Sequence, residues 1–290
     1  MILDKIIAEK RKELANKPYL NSFICELKKS DRDFKKAISK PGINLIAEIK
    51  KGSPSKSVIR KNFNLKEIAK VYDTNKVSAI SVLTDEKFFQ GKLEYLTKVR
   101  ALTKKPLLRK DFIIDEYQIY EARHYGADAV LLIAAILTKG QIDRFIDIAK
   151  KYNMECLVEV HTSQELKNVL DTKAEIIGIN NRNLDSLRID LNTTLRLVNK
   201  VPRNKVIVSE SGFETKEDID SVKGKVNAVL IGTSLMRETD IGRKIDQFMT
   251  PMIKVCGITN ASDCLASKDA DIIGLNFYQK SARFVKKESA

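Results

Sequence analysis

The sequence predicts an α/β chain: a closed (β/α)8 TIM barrel with an N-terminal helical extension, followed by a partial βαβ fragment of a second barrel. Three observations predict it. From Asn44 onward, short β-rich runs alternate with amphipathic stretches through eight units. Several of those runs are continuously apolar, as parallel strands covered on both faces are. Polar and charged residues collect where the runs end, and a barrel of this kind gathers its strand ends and βα loops into one functional rim.

Each element follows from local pattern. In the opening segment Ile2, Leu3, Ile6, Ile7 and Leu14 recur at helical spacing, so an amphipathic helix is expected. Acids and bases are mixed through it, unlike a secretory signal. Strands are expected at 45–49, 79–83, 106–111, 129–133, 156–160, 176–180, 206–211 and 228–231. Helical patterns lie between them, among them 93–102, 141–152, 163–170, 193–198 and 216–222. Thr138, Thr162 and Thr215 stand where N-caps belong. A doubly wound sheet is the alternative, but no GxGxxG follows any strand. The eighth unit closes near Phe248, which makes residues 1–249 one barrel. Residues 250–290 begin afresh, with a strand at 253–257, a helix at 261–267 and a strand at 272–277. Such a fragment cannot cover its own apolar faces. It is expected to be disordered, or to associate through Ile253, Val255, Ile273 and Leu275 with the barrel or a neighbouring chain.

Composition narrows the function classes. At 43% hydrophobic and 31% charged residues over 290 positions, the chain is globular. The net charge of +14 comes from basic residues interleaved with acids, and no nucleic-acid motif accompanies it. The charge therefore reads as a solvated, lysine-rich surface, to which an anionic substrate would add, and no nucleic-acid partner is expected. No apolar run reaches the roughly 18 residues of a membrane span, so no membrane partner is expected. Cys25, Cys156, Cys256 and Cys264 are scattered, without a CxxC pair, which points to a reducing cytoplasm. His124 and His161 show no metal-ligand spacing and read as structural; no metal site is expected.

The strand ends carry the candidate chemistry. Glu48 and Lys50 share one face at the end of strand 1, ahead of the Gly52-Ser53-Pro54 turn. They read either as a surface ion pair or as part of a mouth. Lys110 closes strand 3, and on residues alone it reads first as a solvated lysine. Glu159 interrupts an apolar strand, where an acid without a task would be costly. Asn180 and Arg182 alternate onto one side after strand 6, suiting hydroxyls and carboxylates. Glu210-Ser211-Gly212 ends strand 7 and Gly232-Thr233 follows strand 8. Glycine loops at those two places together form a phosphate-site signal.

LIAEIKKGSPSK, LLRKDFIIDEYQIYEARHYGADAVLLIAAIL, LVEVHTSQEL, IIGINNRNL, VSESGF and LIGTSLM, in this order, resemble the indole-3-glycerol-phosphate synthase family. The resemblance runs from the N-terminal helix to about Phe248. It implies a carbon–carbon lyase that closes a ring on 1-(2-carboxyphenylamino)-1-deoxyribulose 5-phosphate, then releases carbon dioxide and water. It implies no metal or organic cofactor. Carried over, Lys110 is the general acid at the ketone and Glu159 the second acid/base group, with Glu48 and Lys50 sharing proton transfers. Lys50 and Arg182 hold the substrate carboxylate or phosphate, and Asn180 its hydroxyls. Glu210 and Ser211 line the ring site. Ser53 and the backbone of Gly212, Gly232 and Thr233 hold the phosphate. The departures lie around Lys51-Gly52 and at Thr233, and they leave the side-chain chemistry intact. An aldolase-like barrel is the rival enzyme, and the pairing of Lys110 with Glu159 favours the synthase. In the tail, KVCGIT, IIGLNFY and KSARFV resemble the first units of phosphoribosylanthranilate isomerase, with Cys256 matching its base and Arg283 its substrate-binding arginine. The rest of that barrel is absent, so no isomerase activity is expected.

Overall fold

The structure, a computed structural model, describes residues 2–15, 17, 27–54, 58–184, 186–250, 254–268, 270 and 272–286. The chain divides into two units, Met1–Met249 and Thr250–Ala290. In the first, eight parallel strands close into a barrel in sequence order. They are β1 (Asn44–Ile49), β2 (Ala79–Leu83), β3 (Leu107–Lys110), β4 (Ala129–Ile133), β5 (Glu155–Val160), β6 (Ile176–Asn180), β7 (Val206–Glu210) and β8 (Ala228–Ile231). Closure is made by β1, which pairs with β2 on one side and β8 on the other.

Alternation along the strands sorts the residues into two cores. Leu45, Ala47 and Ile49 of β1 face outward with Leu107, Val130, Val158 and Ile177, and helices such as Leu65–Thr74 and Lys139–Lys151 cover them. Ile46, Leu108, Leu131, Leu157, Val208 and Leu230 face inward and plug the barrel. Fully burying one such side chain is worth about 1.5–3 kcal/mol, so both layers contribute heavily. The expected threonine caps are present: Thr138, Thr162 and Thr215 accept from the backbone N–H of Gln141, Glu165 and Asp218.

Two barrel strands are shorter than the sequence suggests, for local reasons. β3 starts after Pro106, which has no N–H to give a ladder, and stops before Asp111, whose carboxylate joins a buried charge network. β7 stops at Glu210 because Ser211 turns to φ 69°, outside any strand conformation.

The extension forms α1 (Ile2–Ala15), which the buried network fastens to the barrel. Lys10, 4% exposed, lies 3.1 Å from Asp85 in the loop after β2 and 3.1 Å from Asp111 after β3. Asp111 also takes Arg109 at 3.0 Å, and Arg109 reaches Glu121 at 2.9 Å. Burial would raise the Asp111 pKa, but Arg109 and Lys10 outweigh it and hold it well below the usual carboxylate range.

In the second unit β9 (Lys254–Cys256) and β10 (Ile272–Gly274) pair in parallel beside the helix Ala261–Ala266. Gly257, at φ 80°, ends β9 early. Ile273 and Leu275 remain 38% and 36% exposed, with Phe277, Tyr278 and Leu265 more so. Ile253 lies outside the described residues, as does Cys25. No helix among the described residues is long and apolar enough to cross a membrane.

Candidate active site

Because side chains alternate, the last inward position of each strand opens at the barrel mouth. Five of the eight strands place a polar side chain there: Glu48, Lys110, Glu159, Asn180 and Glu210. They line one cavity with Lys50, Arg182, Ser211, Gly212, Gly232 and Thr233. The structure therefore gathers eleven of the twelve residues singled out in the sequence. Ser53 is not among the lining residues, and the turn after it, residues 55–57, lies outside the described ones.

Lys110 is central. Its ammonium is 3.3 Å from Glu159 Oε2 and 3.6 Å from Glu210 Oε2. Burial pulls its pKa down, but the charges of Glu159, Glu210 and Glu48 outweigh burial and lift it above the ordinary lysine value. The solvated-lysine reading is thereby set aside: this lysine is part-buried and holds its proton. Glu48 pairs with Lys50 at 2.7 Å, both largely buried, so they belong to the mouth and not to the outer surface.

The two central carboxyl groups differ. Burial would raise Glu159, but Lys110, then His161 and Asn180, carry its pKa well below the usual range. Glu210 has no donor within hydrogen-bonding distance of either oxygen. Burial and the charge of Glu159 drive its pKa well above normal, against the pull of Lys110. Of the coupled pair, Glu159 is thus the one that gives up its proton more readily and Glu210 the one that keeps it longer. The cavity is lined by the cations Lys50, Lys110, Arg182 and Arg237 and by Glu48, Asp111, Glu159, Glu210 and Glu214, with Arg237 paired to Glu214 at 3.2 Å. Arg182 donates to the Leu187 carbonyl at 3.1 Å, and no carboxylate among the described residues pairs with it. Burial holds its pKa below the ordinary arginine value.

The backbone makes room for this. A Cβ on Gly232 would fall 2.3 Å from Glu48 Oε1, and one on Gly178 would fall 2.2 Å from Glu210 Oε1. Gly212, at φ 95°, has Ile189 at 2.7 Å from where its Cβ would be. Ser211 keeps a positive φ without being glycine, a strained backbone of the kind that persists at sites.

Sequence reasoning missed the apolar wall: Leu83, Phe89, Phe112, Leu131, Ile133 and Leu184. Phe89 and Phe112 stand 6.0 Å apart, centroid to centroid. The signal was a large apolar residue in a βα loop, where polar ones are the rule. His161, read as structural, does not line the cavity but stands behind Glu159. Its Nε2 lies 3.2 Å from Glu159 Oε1.

A barrel mouth with a protonated lysine between two unlike carboxyl groups, an apolar wall and two glycine loops defines a TIM-barrel enzyme doing acid–base chemistry on a small anionic, partly aromatic molecule. Comparison with known proteins agrees. The family profile described as indole-3-glycerol phosphate synthase matches residues 3–248. The indole-3-glycerol phosphate synthase of Endomicrobium trichonymphae is 46% identical over 253 residues, covering 84% of this chain and 98% of its own. That of Caldanaerobacter subterraneus subsp. tengcongensis is 47% identical over 247 residues, covering 84% and 96%. The tryptophan biosynthesis protein TrpCF of Vibrio cholerae is 43% identical across the whole chain, which spans 62% of that protein. Among solved structures, 3-hexulose-6-phosphate synthase from Salmonella typhimurium superposes with a TM-score of 0.57 at 15% identity, over 71% of this chain and 96% of its own, a likeness of fold alone. The chain belongs to the indole-3-glycerol phosphate synthase family.

Proposed function

We propose that the mouth converts 1-(2-carboxyphenylamino)-1-deoxyribulose 5-phosphate to indole-3-glycerol phosphate, as befits a decarboxylating carbon–carbon lyase of tryptophan biosynthesis. The observation that carries the reading is Lys110, protonated and held between Glu159 and Glu210 beside the apolar wall. The ring carbon bearing the carboxylate attacks the ketone, and Lys110 gives its proton to the ketone oxygen as the new C–C bond forms. Loss of carbon dioxide returns the bonding electrons to the ring. The new hydroxyl then leaves as water with a proton from an acid, while a base takes the proton that completes the indole. Glu159, ionised, is the base; Glu210 is the neutral donor beside it. Glu48 and Lys50, paired on β1, complete the set that moves protons.

Binding follows the same division. The aromatic ring lies on Phe89 and Phe112, with Glu210 and Ser211 at its edge. Arg182 and Lys50 hold anionic groups, and Asn180 faces the hydroxyls. The phosphate sits against the backbone of Gly212, Gly232 and Thr233, with Ser53 approaching from the β1 loop. Formation of indole-3-glycerol phosphate by the purified chain, followed by fluorescence, tests the activity; no product above background overturns it. A crystal grown with phosphate or product should show the anion beside Gly212 and Gly232. An anion elsewhere with this place empty at saturation would sink the assignment.

The cytoplasm is the compartment that suits this chemistry and the scattered cysteines. For residues 250–290 we propose the start of a phosphoribosylanthranilate isomerase-like barrel without isomerase activity. The parallel β9–β10 pair and the whole-chain match to the Vibrio cholerae protein support it. Cys256 and Arg283 are the residues of the segment that the resemblance matches to the isomerase site. Isomerisation by this chain, lost on Cys256→Ala, would refute it.

A further inference from the structure

Glu159 and Glu210 pose a problem of selection. Each ends a strand of the same barrel, each is 1% exposed, and one lysine serves both, at 3.3 and 3.6 Å. The lysine leans toward Glu159, donating to it at 3.3 Å while Glu210 lies beyond a hydrogen bond, but a difference of that size leaves the two carboxyl groups competing for the proton. We propose that His161 is the positioning residue that decides it, keeping Glu159 as the carboxylate and leaving the proton on Glu210.

The geometry is one-sided. His161 follows Glu159 by two residues, so both point the same way off β5. Its side chain is 5% exposed and stands between two acids: Nδ1 lies 3.2 Å from Glu165 Oε2 in a hydrogen bond, and Nε2 lies at ion-pair distance, 3.2 Å, from Glu159 Oε1 without hydrogen-bond alignment. Glu165, in the helix Ser163–Leu170, is itself fixed, accepting from the His161 backbone N–H at 2.8 Å and the Thr162 hydroxyl at 3.0 Å. An imidazole with a carboxylate at each nitrogen is stabilised as the cation, both nitrogens carrying protons. These two acids are the charged groups that bear on it, and they raise its pKa to about 10 although burial pulls the other way. Glu210 has only the shared Lys110, at 3.6 Å, and no imidazole. Protonating Glu159 would leave the imidazolium facing a neutral acid; protonating Glu210 weakens only the longer contact with Lys110. His161 is not among the residues lining the cavity, so it acts through Glu159.

The inference rests on the acid/base role proposed for Glu159, and the test separates the two. His161→Gln keeps a side-chain N–H donor but removes the charge. Its acidic limb in the kcat–pH profile, which belongs to the Glu159–Glu210 pair, should move up by about one pH unit or more, with KM little changed. Glu165→Gln should move the limb the same way by less. In the unmodified chain, which has two histidines, the 15N signals of His161, identified by their loss in His161→Gln, should be those of imidazolium at pH 8. A neutral His161 at pH 8 overturns the proposal even if His161→Gln fails to fold. An unmoved acidic limb in His161→Gln, with Glu159→Gln inactive, overturns it as well. Full turnover by Glu159→Gln would instead dismiss the role of Glu159 itself.

Discussion

The plug of the barrel and its mouth are made by the same strands, two residues apart. On β3 the inward neighbours are Leu108 and Lys110; on β5, Leu157 and Glu159; on β7, Val208 and Glu210. The lower position of each pair is apolar and sealed, and the upper one is ionisable and part of the cavity. The plug lowers the free energy of the fold. The mouth raises it, because carboxyl groups 1% exposed are desolvated and only partly repaid by Lys110. One step along a strand thus separates residues kept for stability from residues kept for chemistry.

Substitutions should separate along that line. The largest effect belongs to Lys110→Ala, expected to lower kcat by about 10²–10⁴ while the chain stays folded; steady-state kinetics with a circular dichroism spectrum measure both. Wild-type turnover would erase the distinction. Leu108→Ala should do the converse, costing about 2–5 kcal/mol of stability with kcat of the folded protein near wild type. Urea unfolding beside activity at low temperature checks this, and a loss of kcat without a loss of stability would show the plug to be catalytic. Gly178→Ala should fall between. Its new methyl would overlap Glu210 Oε1 and crowd Leu157, so a middle-layer change reaches into the mouth. We expect kcat to fall by about 10–100-fold, with about 1–3 kcal/mol lost to overpacking. Unaltered kcat would mean that the Glu210 carboxyl need not stay where it is. Removing residues 250–290 should matter least, leaving turnover within about a few-fold. A greater loss would mean that the second unit supports the first.

How legible this was in the sequence follows from what periodicity can carry. Continuous apolar runs such as AVLLI and AVLI announce strands, and alternation then places Glu48, Glu159 and Glu210 inward without any coordinates. The ladder that closes β8 onto β1 joins residues such as Asn44 and Ala228, too far apart in the chain for local pattern to register. The protonation states were hidden for a related reason. Nothing in LVEVH and VSESG tells that one glutamate meets a histidine and the other meets no donor. That depends on distances across the mouth. Phe89 and Phe112 were missed because the search for chemistry looked only at polar residues.

Lys10 ties the extension to two separate connections. Its ammonium is neutralised in the folded chain by Glu13 of its own helix and by Asp85 and Asp111, which follow β2 and β3. Taking α1 away would leave Asp85 and Asp111 short of a buried counter-charge. A single ammonium thus fastens one helix and two βα loops to each other, and the rim on this side depends on a residue that lies outside every strand.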